Sequence, residues 1–429
     1  MRIKTIYAIL LVFSVIFSEK LNSQNSTFVY GDALPDAPIM SARGVYAVGV
    51  KTMEFINKNQ LDILNTKEGK EMFYDRKLKI EIWYPTDKRD GENPIEKYEE
   101  VMGSSNDTKR PIIPFTFLGR AKRDAPIAKS NEKFPLIIVS HGYLGSRYLM
   151  TYLTENLASK GYIVVSIDHM ESTFRDAGGF TSTLLNRSKD VLFILNQMAL
   201  INTNDTNYKG RIDVNNTGLI GYSMGGYGVL NVAGAGYSEG SVKLFSMLSG
   251  GSDAIKERVG SNESYQKSID PRIKAVVAFA PWGMERGVWD SVSLTGLKVP
   301  TFFVAGDQDD ISGYEKGVKA IYDKAVNAER YLLIYHNARH NVAPNPAPPE
   351  SLKDGLHIDE YYRYAEPSWD QRKINNINQH FITAFFGQLL KGQDNDKFLK
   401  LPENSNIKTW EGFKPRSSVG LSLKYSSAD

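Results

Sequence analysis

The sequence contains no cysteine. That excludes a catalytic thiolate, a thiolate metal site, a disulfide framework and a lipid-modified amino-terminal cysteine, so stability has to come from core burial and hydrogen bonding. An excess of charge of one sign is equally lacking: 52 basic residues stand against 49 acidic ones, a formal +3. No nucleic-acid partner is expected from that balance, and clusters such as Lys122-Arg123 lie among acids and read as solvated surface. Histidine is scarce, with six in the chain. Their spacing fits neither H-E-x-x-H nor related metal sites, and nothing has the form of a Gly-rich phosphate loop, so no metal or other cofactor is expected.

Long apolar runs are missing except near the start, where Arg2 and Lys4 precede an apolar stretch from Ile6 to Phe17. A membrane span needs about 20 apolar residues, and this stretch is shorter. The layout is that of a signal peptide over residues 1–23, followed by a leader at 24–42. Export to a periplasm or the cell exterior is the expectation, with no stable membrane anchor once the signal is removed.

What is present is enough apolar material for a large core: 429 residues, 41% of them hydrophobic. Short β-branched runs, clearest at 135–140 (PLIIVS), 162–167 (YIVVSI), 217–221 (TGLIG), 275–279 (AVVAF), 300–305 (PTFFVA) and 330–335 (RYLLIY), are read as each followed by a Gly-containing turn and then by a helical pattern. This alternation is the signature of a parallel sheet with crossover helices. The fold class is therefore α/β, a doubly wound and mostly parallel sheet. Runs at 43–50 and 78–84 (LKIEIWY) suit antiparallel leading strands. Helices are expected at 148–159, 184–200, 225–235, 314–325 and 375–390. The domain is read over 43–391, with a surface insertion at 85–133, a candidate lid loop at 341–370 and an irregular tail at 392–429 that carries Trp410 and Phe413.

After TGLIG comes Gly221-Tyr222-Ser223-Met224-Gly225, and a helical pattern follows directly. This is G-x-S-x-G in strand-turn-helix context, the form of a nucleophile elbow. The serine backbone has to sit in a tight turn, and the positions two before and two after approach neighbouring backbone too closely for a Cβ, which is why glycine stands at both. Ser223 is thus the candidate nucleophile. The strand PLIIVS ends in His141-Gly142-Tyr143, and the backbone N–H groups of Tyr143 and Met224 are the candidate oxyanion donors, since fixed amides need no reorganisation as charge develops. His141 is read as scaffold, and the Tyr143 ring as a wall of the acyl pocket.

A serine nucleophile needs a base and an acid from later strand ends. PTFFVA runs into Gly306-Asp307-Gln308-Asp309-Asp310, where Asp309 is the preferred acid and Asp310 the alternative; Asp307 is expected to cap the loop. Elimination among the histidines leaves His340, on a short loop after RYLLIY, as the base, with His336 as the alternative. Tyr222, in the elbow, and Trp282, after AVVAF, are candidate substrate-pocket residues.

HGYLGSRYLMTYLTENLASKGYIVVSIDHMEST together with GYSMGGYG resembles the α/β-hydrolase superfamily, in its dienelactone-hydrolase-like and platelet-activating-factor-acetylhydrolase-like branch, and the elbow is similar to that of cutinase-like polyesterases. GVYAVGV and LKIEIWYPT look like the branch's leading strands. The resemblance implies an α/β-hydrolase fold and cofactor-free ester hydrolysis through Ser223, with Tyr143 and Met224 N–H as oxyanion donors. One departure matters: in the animal acetylhydrolases the acid follows an earlier strand, and the matching stretch here, Phe279-Ala280-Pro281-Trp282, has none. The acid is therefore expected in the Gly306 to Asp310 turn. His169 matches a histidine at a strand end in that branch and is read as structural or pocket-forming. The functional expectation is a secreted serine esterase acting through an acyl-enzyme on small-molecule or polymer-linked esters. The alternatives are a lipase, cutinase or acetylhydrolase acting on lipid or polyester, and a non-catalytic binding protein on the same fold.

Overall fold

The computed structural model describes residues 28–67, 70–87 and 95–429. The expected signal peptide lies outside the described residues. The β-branched runs form the middle of a 10-stranded sheet in the order β12-β11-β10-β9-β8-β6-β7-β2-β1-β5. Its parallel part comprises β6 (Phe134–Ser140), β7 (Ile163–Asp168), β8 (Ile212–Tyr222), β9 (Ile273–Phe279), β10 (Thr301–Gly306) and β11 (Arg330–Tyr335). Residues of β6 are buried throughout, as a strand covered on both faces requires. The leading strands β1 (Ala47–Leu61) and β2 (Phe73–Thr86) pair antiparallel with each other, and β2 pairs antiparallel with β7. Both run well past their expected ends. The short β5 (Ala121–Arg123) closes that edge, parallel to β1.

Two apolar layers cover the sheet. On one face the helices Thr151–Ser159 and Gln371–Lys391 bring Tyr152, Leu153, Phe381 and Phe385 onto Ile137, Val164 and Phe302. On the other, Phe180–Asn204, Met224–Val232 and Lys319–Lys324 bring Val191, Leu195, Val229 and Ile321 onto Ile138, Val165 and Phe303. Successive strand residues thus feed opposite layers, as the period of a strand dictates. The expected helix at 314–325 is interrupted, its first turn Tyr314–Val318 being a π-type turn with a kink at Gly317.

Two segments differ from the sequence expectation. Within 85–133, β3 (Glu96–Met102) and β4 (Ile113–Gly119) form an antiparallel hairpin. Tyr98, Val101, Phe115 and Phe117 of that hairpin are buried in the main core, so it is not a surface excursion. The carboxy-terminal segment is not irregular throughout: Leu421–Ser426 forms β12, which pairs antiparallel with β11 and buries Leu421 and Leu423. Trp410 and Phe413 pack edge-on against Phe381 and His380 respectively, inside the core rather than on it. Among the described residues, no helix is long and apolar enough to cross a membrane.

Candidate active site

The carboxyl ends of β6, β8, β10 and β11 deliver their loops to one place, the crevice where ligands bind in open α/β sheets. At the end of β8 the chain turns at Ser223 with φ 52 and ψ −115 and enters the helix Met224–Val232. The two flanking glycines are demanded by contact. A Cβ on Gly221 would lie 2.2 Å from the Gly225 carbonyl oxygen, and one on Gly225 would lie 1.9 Å from the Ser140 carbonyl oxygen. The turn is pinned by the Ser223 N–H, which donates to Phe279 O at 2.9 Å.

His340 spans the space between the serine and an acid. Its Nε2 lies 3.0 Å from Ser223 Oγ, and its Nδ1 lies 3.0 Å from both carboxylate oxygens of Asp309. All three side chains are nearly buried, with residue exposures of 6% for Ser223, 7% for Asp309 and 8% for His340. Burial alone would raise the Asp309 carboxyl. The adjacent His340 and the N–H groups of Ser312 and Ile311 outweigh it and hold the carboxyl below its usual range. An ionised acid behind the ring fixes the tautomer that keeps Nε2 free to accept a proton.

The alternatives are engaged elsewhere. Asp310 pairs with Arg339 at 2.7 Å. His336 sits between Asp307 at 2.9 Å and Ser422 Oγ at 2.7 Å, on the β12 side. Asp307 also accepts from the Asn337 N–H at 2.7 Å, joining the two loops.

Gly142, Tyr143 and Tyr222 line, with Ser223 and His340, a cavity of about 450 Å³. The Tyr143 hydroxyl donates to Gly178 O at 2.9 Å, and that of Tyr222 donates to Asn341 Oδ1 at 2.9 Å. Met224 is the first residue of its helix, where an N–H has no intrahelical acceptor. Trp282 is not among the cavity-lining residues. Its N–H bonds to Ser223 O at 3.1 Å, but the ring packs edge-on against Phe180 and Tyr227, with centroids 5.1 and 6.4 Å away.

Behind the cavity, His141 and His169 are both buried. The His169 N–H donates to His141 Nε2 at 3.3 Å, and the His169 ring contacts Ser140 Oγ and Asp190, each at 2.9 Å. Asp190 in turn accepts from Arg76 at 2.8 and 2.9 Å. His169 is thus structural, tying β7 to the helix Phe180–Asn204 and to β2.

Two residues of the 341–370 segment reach the site without any signal in the sequence. Glu366 accepts from the N–H groups of Arg339 at 2.6 Å and Asn341 at 2.5 Å, on both sides of His340. Burial raises its carboxyl above the usual range, and these N–H groups oppose that shift. Arg363 lines the cavity itself. Among the described residues, no group of three or more His, Asp or Glu side chains is arranged to hold a metal ion.

Comparison with known proteins agrees with this architecture. A family model described as PET hydrolase-like matches residues 118–249. Cutinase 1 of Thermobifida cellulosilytica is 24% identical over 217 residues, covering 51% of this chain and 64% of that protein. A bis(hydroxyethyl) terephthalate hydrolase of Streptomyces coelicolor is 24% identical over 263 residues, covering 59% of this chain and 66% of that one. The chain thus matches under two thirds of the length of these curated relatives. The solved structure of a ferulic acid esterase from Streptomyces cinnamoneus superposes with a TM-score of 0.51 at 16% identity, over 82% of this chain and 94% of that one. This chain has the α/β-hydrolase fold, and these similarities support that superfamily.

Proposed function

We propose that this protein is an exported serine esterase that cleaves carboxylic esters through an acyl-enzyme. The observation that carries the reading is the position of His340, 3.0 Å from Ser223 Oγ on one side and 3.0 Å from the Asp309 carboxylate on the other. In this reading His340 takes the hydroxyl proton as Ser223 attacks the ester carbonyl, and Asp309 stabilises the imidazolium. The Tyr143 and Met224 N–H groups receive the oxyanion. The alcohol leaves with the proton from His340, and water then releases the acid by the reverse sequence. The relatives named for cutin, bis(hydroxyethyl) terephthalate and ferulic acid support ester chemistry. The cavity of about 450 Å³ suits a small acyl or aryl group better than a long lipid chain. Export rests on the basic and apolar amino-terminal sequence.

The test is fluorophosphonate labelling with a panel of p-nitrophenyl, feruloyl and sugar-acetate esters. Labelling at Ser223, with loss of about ten-thousandfold or more in turnover for Ser223→Ala, is the expected result. A folded Ser223→Ala protein with undiminished ester turnover overturns it.

A further inference from the structure

The cavity beside Ser223 is walled by three carboxylates and two guanidinium groups, those of Asp310, Asp359, Glu366, Arg339 and Arg363. All but one are satisfied within the protein. Asp310 pairs with Arg339 at 2.7 Å, Asp359 lies 3.5 Å from Arg110, and Glu366 accepts the two N–H groups beside His340. Glu360, which would otherwise be the natural partner for Arg363, spends one oxygen on Arg110 Nε at 2.7 Å and the other on the Gly103 N–H at 2.8 Å.

Arg363 is left with little. Among the described residues it makes no ion pair; its Nη1 reaches only the Leu144 carbonyl, at 3.4 Å, and its Nε is sealed from solvent with no hydrogen-bond partner. The guanidinium lies over the Phe174 ring at 5.6 Å, and Phe174 lines the same cavity. Burial, and after it the neighbouring Arg110, lower its proton affinity, with Glu360 opposing them in part. A part-buried cation whose neighbouring carboxylate, Glu360, is already engaged with Arg110 and Gly103 is stabilised by a further anion that reaches it.

We infer that Arg363 is the anion-binding element of the substrate pocket, and that the preferred substrates are esters carrying a carboxylate on the part of the molecule that lies against Phe174 and Leu144. The planar fork of a guanidinium matches a carboxylate in two parallel hydrogen bonds, and a half-closed pocket strengthens them. The inference rests on the serine-esterase reading for its chemistry, but the binding of a carboxylate can be measured without it.

The experiment compares p-nitrophenyl half-esters of succinate, glutarate and adipate with neutral p-nitrophenyl esters of matching chain length, in the wild type, Arg363→Gln and Arg363→Lys. For the best-fitting length, the ratio of kcat/KM for the acidic ester over its neutral partner is expected to fall by about tenfold or more in Arg363→Gln, chiefly through KM, and by less in Arg363→Lys. An arginine with only a structural role would depress both esters alike, so an unchanged ratio in folded Arg363→Gln overturns the inference. Should that variant not fold, inhibition of the wild type decides: glutarate is expected to inhibit about tenfold or more tightly than glutaramide, and equal inhibition overturns it. If Ser223 takes no fluorophosphonate label, the esterase reading fails by itself. Calorimetric titration with glutarate and glutaramide then decides on Arg363 by the same comparison.

Discussion

Glu366 brackets His340, its two carboxylate oxygens accepting the backbone N–H groups immediately before and after the histidine. A loop that carries a base has to hold the ring in one place against Asp309 and Ser223, and a single carboxylate here fixes both of its ends. Hydrogen bonds to a charged acceptor contribute about 1.5–3 kcal/mol each. Glu366→Gln keeps one oxygen acceptor and replaces the other with a donor that faces an N–H. The expected result is a fall in kcat of about ten- to a hundredfold with KM changed far less, because the loss is in alignment rather than in substrate contact. Steady-state kinetics on a soluble ester check it; a rise in KM at constant kcat would assign Glu366 to the substrate instead.

The backbone of Ser223, with φ 52, is held where a residue with a Cβ is strained. Such conformations cost about 1–3 kcal/mol. Glycine carries no such penalty, whereas alanine keeps it. Both Ser223→Ala and Ser223→Gly should abolish turnover, but Ser223→Gly should be the more stable of the two by about 1 kcal/mol. Urea unfolding of the two variants measures the difference, and equal stabilities would mean that the elbow is not strained.

How much of this was legible in the sequence depended on the kind of constraint. Gly221 and Gly225 were readable because a Cβ at either would lie 2.2 or 1.9 Å from a backbone oxygen, and steric exclusion leaves a mark at fixed spacing. His340 emerged by elimination among few histidines. Glu366 and Arg363 left no such mark, since they reach the site by the folding-back of a long segment and any exposed loop carries acids and bases. The ring of Trp282 packs on Phe180 and Tyr227, a direction that its position at a strand end does not specify. The hairpin of β3 and β4 was hidden in charge and proline, although Phe115 and Phe117 do carry strand alternation.

Two buried histidines that do not line the cavity beside Ser223, His169 and His380, are expected to set the acid limit of stability. Burial, and then Lys160, push the His380 pKa down to about 3, and its Nε2 is buried without a partner. Burial, and then Arg187, likewise push His169 down to about 3. Both folded values lie below the ordinary one of about 6.5. The unfolded chain therefore takes up these protons first, so stability is complete above about pH 6.5 and declines as pH falls towards 3. Each histidine contributes a slope of about 1.4 kcal/mol per pH unit within that window. Asp190, where Arg76 and His169 overcome the effect of burial and bring its pKa to about 2, adds a further loss below about pH 4. Urea unfolding between pH 7 and 4.5 should show the decline, and His380→Gln should make it shallower by about one histidine's slope. An identical pH dependence in that variant would rule out His380 as a contributor.

His336 and Ser422 form a second pairing, and its geometry argues that it holds the sheet together and takes no part in chemistry. The His336 ring lies 2.9 Å from Asp307 and 2.7 Å from Ser422 Oγ, so it has the partners of a relay. Ser422, however, lies within the edge strand β12, opposite Ile334 of β11, and neither Ser422 nor His336 lines the cavity beside Ser223. What the pairing does is fasten β12 to the loop after β11. Without β12, β11 would become a bare edge with unpaired backbone groups, and the burial of Leu421 and Leu423 would be lost. Two fully buried leucine side chains correspond to about 3–6 kcal/mol. Removal of residues 421–429 should therefore destabilise the protein by at least that order and promote aggregation. His336→Asn should lower stability by about 1 kcal/mol and leave kcat within a few-fold of the wild type, whereas His340→Asn should remove nearly all turnover with little loss of stability. Parallel measurement of kcat and urea stability in the two histidine variants separates the roles, and the opposite pattern would make His336 the base.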